Sequence, residues 1–508
     1  MAGLTVRIVI FAAGAVLLGL EIAGSRVMAP YVGSSIYVWG SLISVFLIAL
    51  SGGYLLGGRL ADRWPRPPLL GAVLLLAGIL LILLPVLAAP VLKSIVARDL
   101  GPRLGPFVAA SLLFGPPGFI LATTSPFAVR LAATDLGSLG SLAGSLYALS
   151  TAGNIAGTLV TSFVLIPLLG VRTILLLLGG VLVACALLLV PLRRRTRALV
   201  AAGVIGLLLV APMRPSPAGV RTVYERDSLY HRIRVVEEDD GARYLVFNRS
   251  YQGGMYLHDP ERSPYRYAEY MHAAWLFQPQ IRRALVIGLG AGSIPKQFFR
   301  ESAGISVDVA ELDPAVVEVA KKYFALREDQ RLRVFVADGR LFLRRTRTLY
   351  DLIVLDAYFA EGIPFHLATR EFFALARAHL RPGGVVAANI IGALDGDQSA
   401  LFRALYRTYA QVFPGLYLFP VGLRPQGRTS RIRTIVLMAS SQRGITRRDL
   451  TARAERMQNQ PGLSTIPLQR IIRDFYDRPI ATAEVPILTD DFAPVDILPV
   501  EGWEPERR

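Results

Sequence analysis

Three acidic residues, Glu311, Asp338 and Asp356, each follow directly on a short apolar run. Apolar runs of that length read as buried strands, and ligands of an open parallel sheet bind at the carboxyl ends of its strands. Carboxylates placed there can accept hydrogen bonds from the hydroxyls of a ribose or the amine of a base, or take a proton from an attacking amine. Ahead of them, Ala284-Leu285-Val286-Ile287 breaks into Gly288-Leu289-Gly290-Ala291-Gly292. Glycines at Gly288, Gly290 and Gly292 permit a tight turn and a close backbone approach to a nucleoside. Glu311 follows at roughly the 20-residue distance at which an acid meets ribose hydroxyls in dinucleotide-binding units. A Gly-x-Gly-x-Gly alone is a weak signal; the acid at that distance strengthens it.

Alternating elements must hold these groups. A helix-like segment follows Gly292, and Ala315 to Phe324 reads as a second helix. Arg333 to Ala337 is a strand ending in Asp338-Gly339, and Leu352 to Leu355 is a strand ending in Asp356. Phe372 to Leu380 reads as a helix, and Pro382-Gly383-Gly384 as a turn into a strand, Val385 to Asn389. Leu416 to Phe419 and Thr434 to Met438 look like the last two strands. Strands alternating with helices predict a doubly wound α/β domain with a parallel sheet. Before it, Tyr230 to Val236 and Arg243 to Phe247 alternate around the acidic turn Glu237 to Gly241, and a third short strand lies near Gly254 to Leu257. This is a small antiparallel β-sheet. Tyr265 to Phe277 reads as helical and aromatic-rich.

The first half of the chain is different. Its 508 residues are 53% hydrophobic, with a mean hydropathy of +0.45, and most of the excess lies before residue 213. Apolar runs near 7–29, 36–58, 69–90, 106–124, 142–168 and 171–192 predict six membrane-spanning helices. A shorter run, 198–212, either crosses or lies along the interface. The expected division is a transmembrane helical domain over 1–213, a linker with the small sheet over 214–260, an α/β domain over 261–445 and a C-terminal helical extension over 446–508. Arg59, Arg63 and Arg66 share one side with Arg193, Arg194, Arg195 and Arg197, which places the N-terminus inside. The loop from Gly58 to Arg66 resembles a cytoplasmic loop signature of the major facilitator superfamily, six spans being half of such a transporter. Gly53-x-x-x-Gly57 and Gly153-x-x-x-Gly157 are faces suited to close helix packing. Glu21 and Asn154 are polar groups within apolar runs.

The net charge is +17, but the arginines are spread along the chain and several flank apolar runs, so membrane-facing cations account for it and no nucleic-acid partner is expected. Cys185 is the only cysteine; it lies in an apolar run, which excludes an internal disulfide, a zinc knuckle and thiol catalysis.

Residues 220–440 resemble spermidine synthase, a polyamine aminopropyltransferase built on the class I S-adenosylmethionine-dependent (Rossmann-like) fold. Ser228-x-Tyr230, Gln252, Tyr267-x-Glu269, the glycine turn, Glu311-Leu312-Asp313, Asp338-Gly339 and Asp356 occur in that family's order. The layout of spans followed by this domain, and the ending Leu488-Thr489-Asp490-Asp491-x-Ala493-Pro494-Val495, resemble membrane-fused spermidine synthase-like proteins. The resemblance implies S-adenosylmethionine or its decarboxylated form as co-substrate, and no metal. It implies Gly288, Gly290, Gly292, Glu311, Asp338, Gly339 and Gln252 as cofactor-binding residues. Glu311 would hold the ribose, Asp338 the adenine amine, and Asp356 would be the general base. Tyr230, Tyr267 and Glu361 would bind an amine substrate. With the N-terminus inside an inner membrane, the soluble domain is cytoplasmic if the run 198–212 lies along the interface and outside if it crosses. S-adenosyl compounds are made in the cytoplasm, which favours the first, and the small sheet is a candidate homodimer surface.

Three positions depart from the family. Ala291 stands where the glycine turn carries an aspartate, Phe359 where a second aspartate follows the base, and His231 where a glutamine follows the tyrosine. Loss of both amine-holding acids leaves open a methyltransferase on the same fold. From another class, a transporter or sensor with a non-catalytic nucleoside-binding domain also fits.

Overall fold

A computed structural model describes residues 2–33, 35–98, 100–133, 139–190, 219–302, 304–358, 362–423, 427–457 and 466–495. The linker from 213, the apolar run 198–212, the arginines at 193–197, and Phe359 and Glu361 lie outside the described residues, apart from Gly219 at the linker's end. The chain divides into two compact units, one of residues 1–215 and 226–229, the other of 216–225 and 230–508.

The first unit is helical. Among the described residues, five helices are long and apolar enough to cross a bilayer: Gly3–Val32, Ile36–Arg63, Pro67–Ala97, Leu139–Leu165 and Val171–Leu189. The run near 106–124 is a bent pair, Arg103–Leu113 and Gly115–Ala132, meeting at 50°. Pro116 and Pro117 open the second arm; they lack the N–H groups that would continue the hydrogen-bond ladder, so the helix breaks at Phe114. Counted as one span, the pair brings the total to six.

Small residues set the closest helix contacts. A Cβ built on Gly153 would lie 2.1 Å from Phe11 O, and one on Gly157 2.0 Å from Ala15 O. Backbone thus meets backbone, which only glycine allows. A Cβ on Gly53 would lie 2.4 Å from Phe119 O and from Ala122 Cβ, and one on Gly57 2.7 Å from the Thr123 backbone. Ile36–Arg63 buries Val38, Leu42, Val45, Phe46 and Ala49 on one face and exposes Ile43, Leu47, Ile48 and Leu55 on the other.

The second unit holds two sheets. The small one has four antiparallel strands in the order β1-β2-β3-β4: β1 Val220–Asp227, β2 Arg232–Glu238, β3 Ala242–Phe247 and β4 Ser250–Tyr256. Three were legible from alternation. The added β1 is mostly half-buried or exposed along its length and carries no apolar period.

The large sheet runs β10-β11-β9-β8-β5-β6-β7. Its central strands, β5 Arg283–Ile287, β6 Ser306–Glu311, β7 Leu332–Val336, β8 Tyr350–Leu355 and β9 Leu380–Gly392, pair in parallel. β11 Arg433–Ser440 is antiparallel to both β9 and β10 Gly415–Pro420. The order reverses between β5 and β8, and at such a switch point the connecting loops part to leave a crevice. This is the class I Rossmann-like arrangement, with one antiparallel strand inserted near the edge. Pro382-Gly383-Gly384, expected as a turn, falls inside β9; the irregularity shows as a register shift against β8 between Tyr350 and Leu352.

Candidate active site

The carboxyl ends of β5, β6 and β8 open onto one cleft, about 970 Å³ of space continuous with solvent. Asp356, Glu311, Asp338, Gly288, Gly290, Gly339, Gln252, Tyr230 and Tyr267 all line it. Gly292 and Ala291 do not. Gly292 (φ +73°) is the left-handed residue that starts the helix Ser293–Glu301. Ala291 is 2% exposed and sits in an apolar cluster with Val235, Leu245, Met255 and Val316. Glu269 is also away from the cleft, ion-paired to Arg470.

Gly288 (φ +94°) serves the protein before any ligand: a Cβ there would lie 2.2 Å from Asp356 O. The missing side chain lets the ends of β5 and β8 close up, and the Asp356 N–H donates to Ile287 O at 2.9 Å. That contact delivers the Asp356 side chain to the floor of the cleft.

The three acids are held differently. Glu311 accepts backbone N–H bonds on both oxygens, Leu289 N to Oε2 at 2.8 Å and Asp313 N to Oε1 at 2.9 Å. Burial nonetheless outweighs these bonds and raises its pKa to about 7. Each carboxylate oxygen keeps a second lone pair, so ribose hydroxyls can still donate to it. Asp338 caps the helix Gly339–Arg345, accepting from Leu341 N at 2.8 Å. Its other oxygen meets His366 Nε2 at 2.8 Å, and that bond, more than any other influence, holds it below the usual carboxylate range. Asp356 is held by side chains: Asn389 Nδ2 donates to Oδ1 at 2.8 Å, and Tyr267 OH to Oδ2 at 3.2 Å. Desolvation raises its pKa to about 7, against the lowering effect of both donors.

Aromatic rings line the same cleft as Asp356. His231 stacks on Phe247 with centroids 4.3 Å apart, and Tyr265 lies beside Tyr267. Tyr358 donates to Asn389 O at 2.8 Å. A carboxylate poised near neutrality, walled by rings, can take a proton from an amine while the ring faces accommodate a cation.

His366, Asn389, Tyr265 and Tyr358 line the cleft without having been singled out as site residues. Asn389 carries the same signal as the three acids, a polar residue inside an otherwise apolar strand near its carboxyl end. His366 sits on a 3-10 turn, Phe365–Leu367, with no periodic signal to mark it.

The spermine/spermidine synthase domain family matches residues 265–416. A polyamine aminopropyltransferase from Vibrio vulnificus (strain CMCP6) is 30% identical over 307 residues, covering 57% of this chain and 96% of that protein. The chain belongs to the polyamine aminopropyltransferase family. As a member of that family it is a transferase and a spermidine synthase-like protein. A spermidine synthase from Solanum lycopersicum is 32% identical over 160 residues, 29% of this chain and 47% of that protein. An N-terminal histidine N-methyltransferase from Emericella nidulans is 30% identical over 230 residues, 41% of this chain and 40% of that one. Among solved structures, a probable spermidine synthase from Corynebacterium glutamicum ATCC 13032 is 18% identical, covers 53% of this chain and 100% of its own, and has a TM-score of 0.40.

Proposed function

We propose that this aminopropyltransferase-family protein is anchored in a membrane and transfers a group from an S-adenosyl co-substrate, S-adenosylmethionine or its decarboxylated form, to a small amine. The observation that carries this reading is Asp356: a carboxylate on the floor of the cleft, raised to about pH 7 by burial and aimed by Tyr267 and Asn389. Glu311 takes the ribose and Asp338 the base, both acids lying in the same cleft. Gly290 brings its backbone to the nucleoside beside Gln252. Tyr230 and Tyr267 form the wall against which the amine packs.

The chemistry follows from the charges. A protonated amine has no lone pair with which to attack. Asp356 removes a proton as the nitrogen forms its bond to the carbon next to the sulfonium; the carbon–sulfur bond breaks and its electron pair stays on sulfur, leaving a neutral thioether. Loss of the sulfonium charge also weakens the product's hold on an acid-lined cleft.

Membrane anchoring rests on five to six helices of sufficient length and apolarity and on outward Leu47, Ile48 and Leu55, each more than half exposed. Large apolar faces of this kind fit a lipid surrounding. The cytoplasm, where S-adenosyl compounds are made, is the side proposed for the soluble unit.

A methyltransferase is the second reading. It is favoured by Ala291, an apolar buried residue where the family carries an acid for the aminopropyl ammonium. Purified full-length chain, incubated with each co-substrate and a panel of amines, separates the two by product mass. An aminopropyl increment supports the first reading and a methyl increment the second; release of unreacted co-substrate with every amine overturns both.

A further inference from the structure

We propose that His231 is a specificity-determining residue of this cleft: it makes the end beside the glycine turn a subsite for an α-amino-acid head, so that the co-substrate is ordinary S-adenosylmethionine and not its decarboxylated form. This rests on the nucleoside reading of the cleft given above.

The sheet order decides where the tail of such a ligand lies. From the edge inward the strands run β7, β6, β5, β8. With the base at Asp338 after β7 and the ribose at Glu311 after β6, the sulfur and its side chain come over the end of β5 and the glycine turn, with Asp356 beyond them after β8. The small sheet packs against that turn. A Cβ on Gly290 would lie 3.3 Å from Gln252 O, and one on Gly253 2.9 Å from Ala291 Cβ.

Register brings His231 to the same place. Ile233 of β2 pairs with Phe247 of β3, and Val235 with Leu245. Alternate residues of a strand share a face, and these four pack with Ala291, Val316 and Val319. His231 extends that row by one step: it lies flat on Phe247, with ring centroids 4.3 Å apart and 5° between the planes. It is 6% exposed and lines the cleft. Gln252 arrives by another route. The pairing of β3 with β4 shifts between Leu245 and Val246: Leu245 pairs with Gly253 and Val246 with Tyr251, which leaves Gln252 as the extra residue of a β-bulge. Bulges re-aim side chains, and Gln252 also lines the cleft.

The two side chains complement both halves of an amino-acid head. An imidazole carries at least one N–H donor in either protonation state, and a carboxamide both donates and accepts. The head's carboxylate takes the His231 N–H, and its ammonium donates to Gln252 Oε1. A tail with an ammonium alone leaves the imidazole donor unused. Among the described residues, the acids lining the cleft are Glu311, Asp313, Asp338 and Asp356. Asp313 is 2% exposed and caps the helix Pro314–Tyr323, its Oδ1 accepting from Ala315 N at 2.9 Å. Ala291, in the turn itself, offers only a buried methyl. This end of the cleft therefore presents donors and rings, which suit a carboxylate-bearing tail better than a purely cationic one.

The test is calorimetric binding to the full-length chain in detergent of two thioethers that differ only in the carboxylate: S-adenosylhomocysteine and its decarboxylated counterpart, S-adenosyl-3-thiopropylamine. The unmutated chain is expected to bind S-adenosylhomocysteine about tenfold more tightly, the size of one hydrogen bond to a charged group. His231→Phe keeps a ring on Phe247 and removes the donor; it is expected to abolish the preference by weakening S-adenosylhomocysteine. His231→Ala is expected to do the same and stands in should the first variant not fold. Equal affinities in the unmutated chain, a preference for the decarboxylated ligand, or a preference that survives in the variants overturns the proposal while leaving the nucleoside reading intact. Failure of the unmutated chain to bind either ligand overturns both.

Discussion

Glu311 and Asp356 share one cleft, and burial raises each to about pH 7, yet they are held by opposite means. Glu311 is fixed through backbone N–H groups of Leu289 and Asp313, which no point substitution at those residues deletes unless it introduces proline. Asp356 is fixed through two side chains, Tyr267 and Asn389. A group that only binds gains from a rigid backbone cradle. A group that must give and take a proton gains from donors whose strength sets its pKa. The contrast separates binding from proton transfer within a single pocket.

The largest expected effect falls on Asp356. Asp356→Asn should lower turnover by about 10²–10⁴-fold, the usual contribution of a positioned base, with nucleoside binding nearly intact; steady-state rates and calorimetry on the same preparation check both halves. The same variant should melt higher than the parent at pH 8 without ligand. The folded pKa of Asp356 is raised above its unfolded value, so its contribution to stability is full at low pH and is lost as pH rises from about 4 through about 7. A neutral amide escapes that loss, and an unchanged or lower melting point counts against burial as the cause of the raised pKa.

Glu311→Ala should cost about 1–3 kcal/mol of nucleoside binding, for hydrogen bonds to a charged acceptor. Calorimetry with no loss removes Glu311 from the ribose. Smaller still is the effect of Tyr267→Phe. Because its hydroxyl lowers the Asp356 pKa, its removal should shift the acid limb of the rate profile to higher pH. Activity in either protein should fall as pH drops below the limb, since the base works only when ionised. A shift to lower pH would contradict the assignment. The smallest change is expected from Ala291→Asp, which should favour the decarboxylated co-substrate. Ala291 is packed among apolar side chains, so the new carboxylate must turn toward the cleft to act. Preference for the two co-substrates, measured in competition, tests this.

Residues at strand ends are legible in the sequence. Glu311, Asp338 and Asp356 each interrupt an apolar run, and buried parallel strands leave few other reasons for a charge there. Gln252, Tyr230 and Tyr267 came through resemblance and also reach the cleft. The glycine spacing predicts that Gly292 approaches the nucleoside; the structure gives it the turn into Ser293–Glu301, where a left-handed residue precedes the helix. Asp490 stands out in the sequence only as part of the ending Leu488 to Val495 that resembles the family. Its partner Arg340 lies 150 residues away, a separation that no local pattern records. His366 was invisible for a similar reason: a 3-10 turn has no apolar rhythm to set a polar residue in relief. In the helical unit, the opposite holds. Hydropathy marked the long apolar helices, and Gly153-x-x-x-Gly157 announced the close contact with Phe11 and Ala15.

A structure of the full-length chain with a bound S-adenosyl thioether tests the account most directly. The account predicts ribose hydroxyls on Glu311, the base amine at Asp338, and the sulfur facing Asp356. A nucleoside seated with its ribose away from Glu311, or with its sulfur out of reach of Asp356, would contradict it.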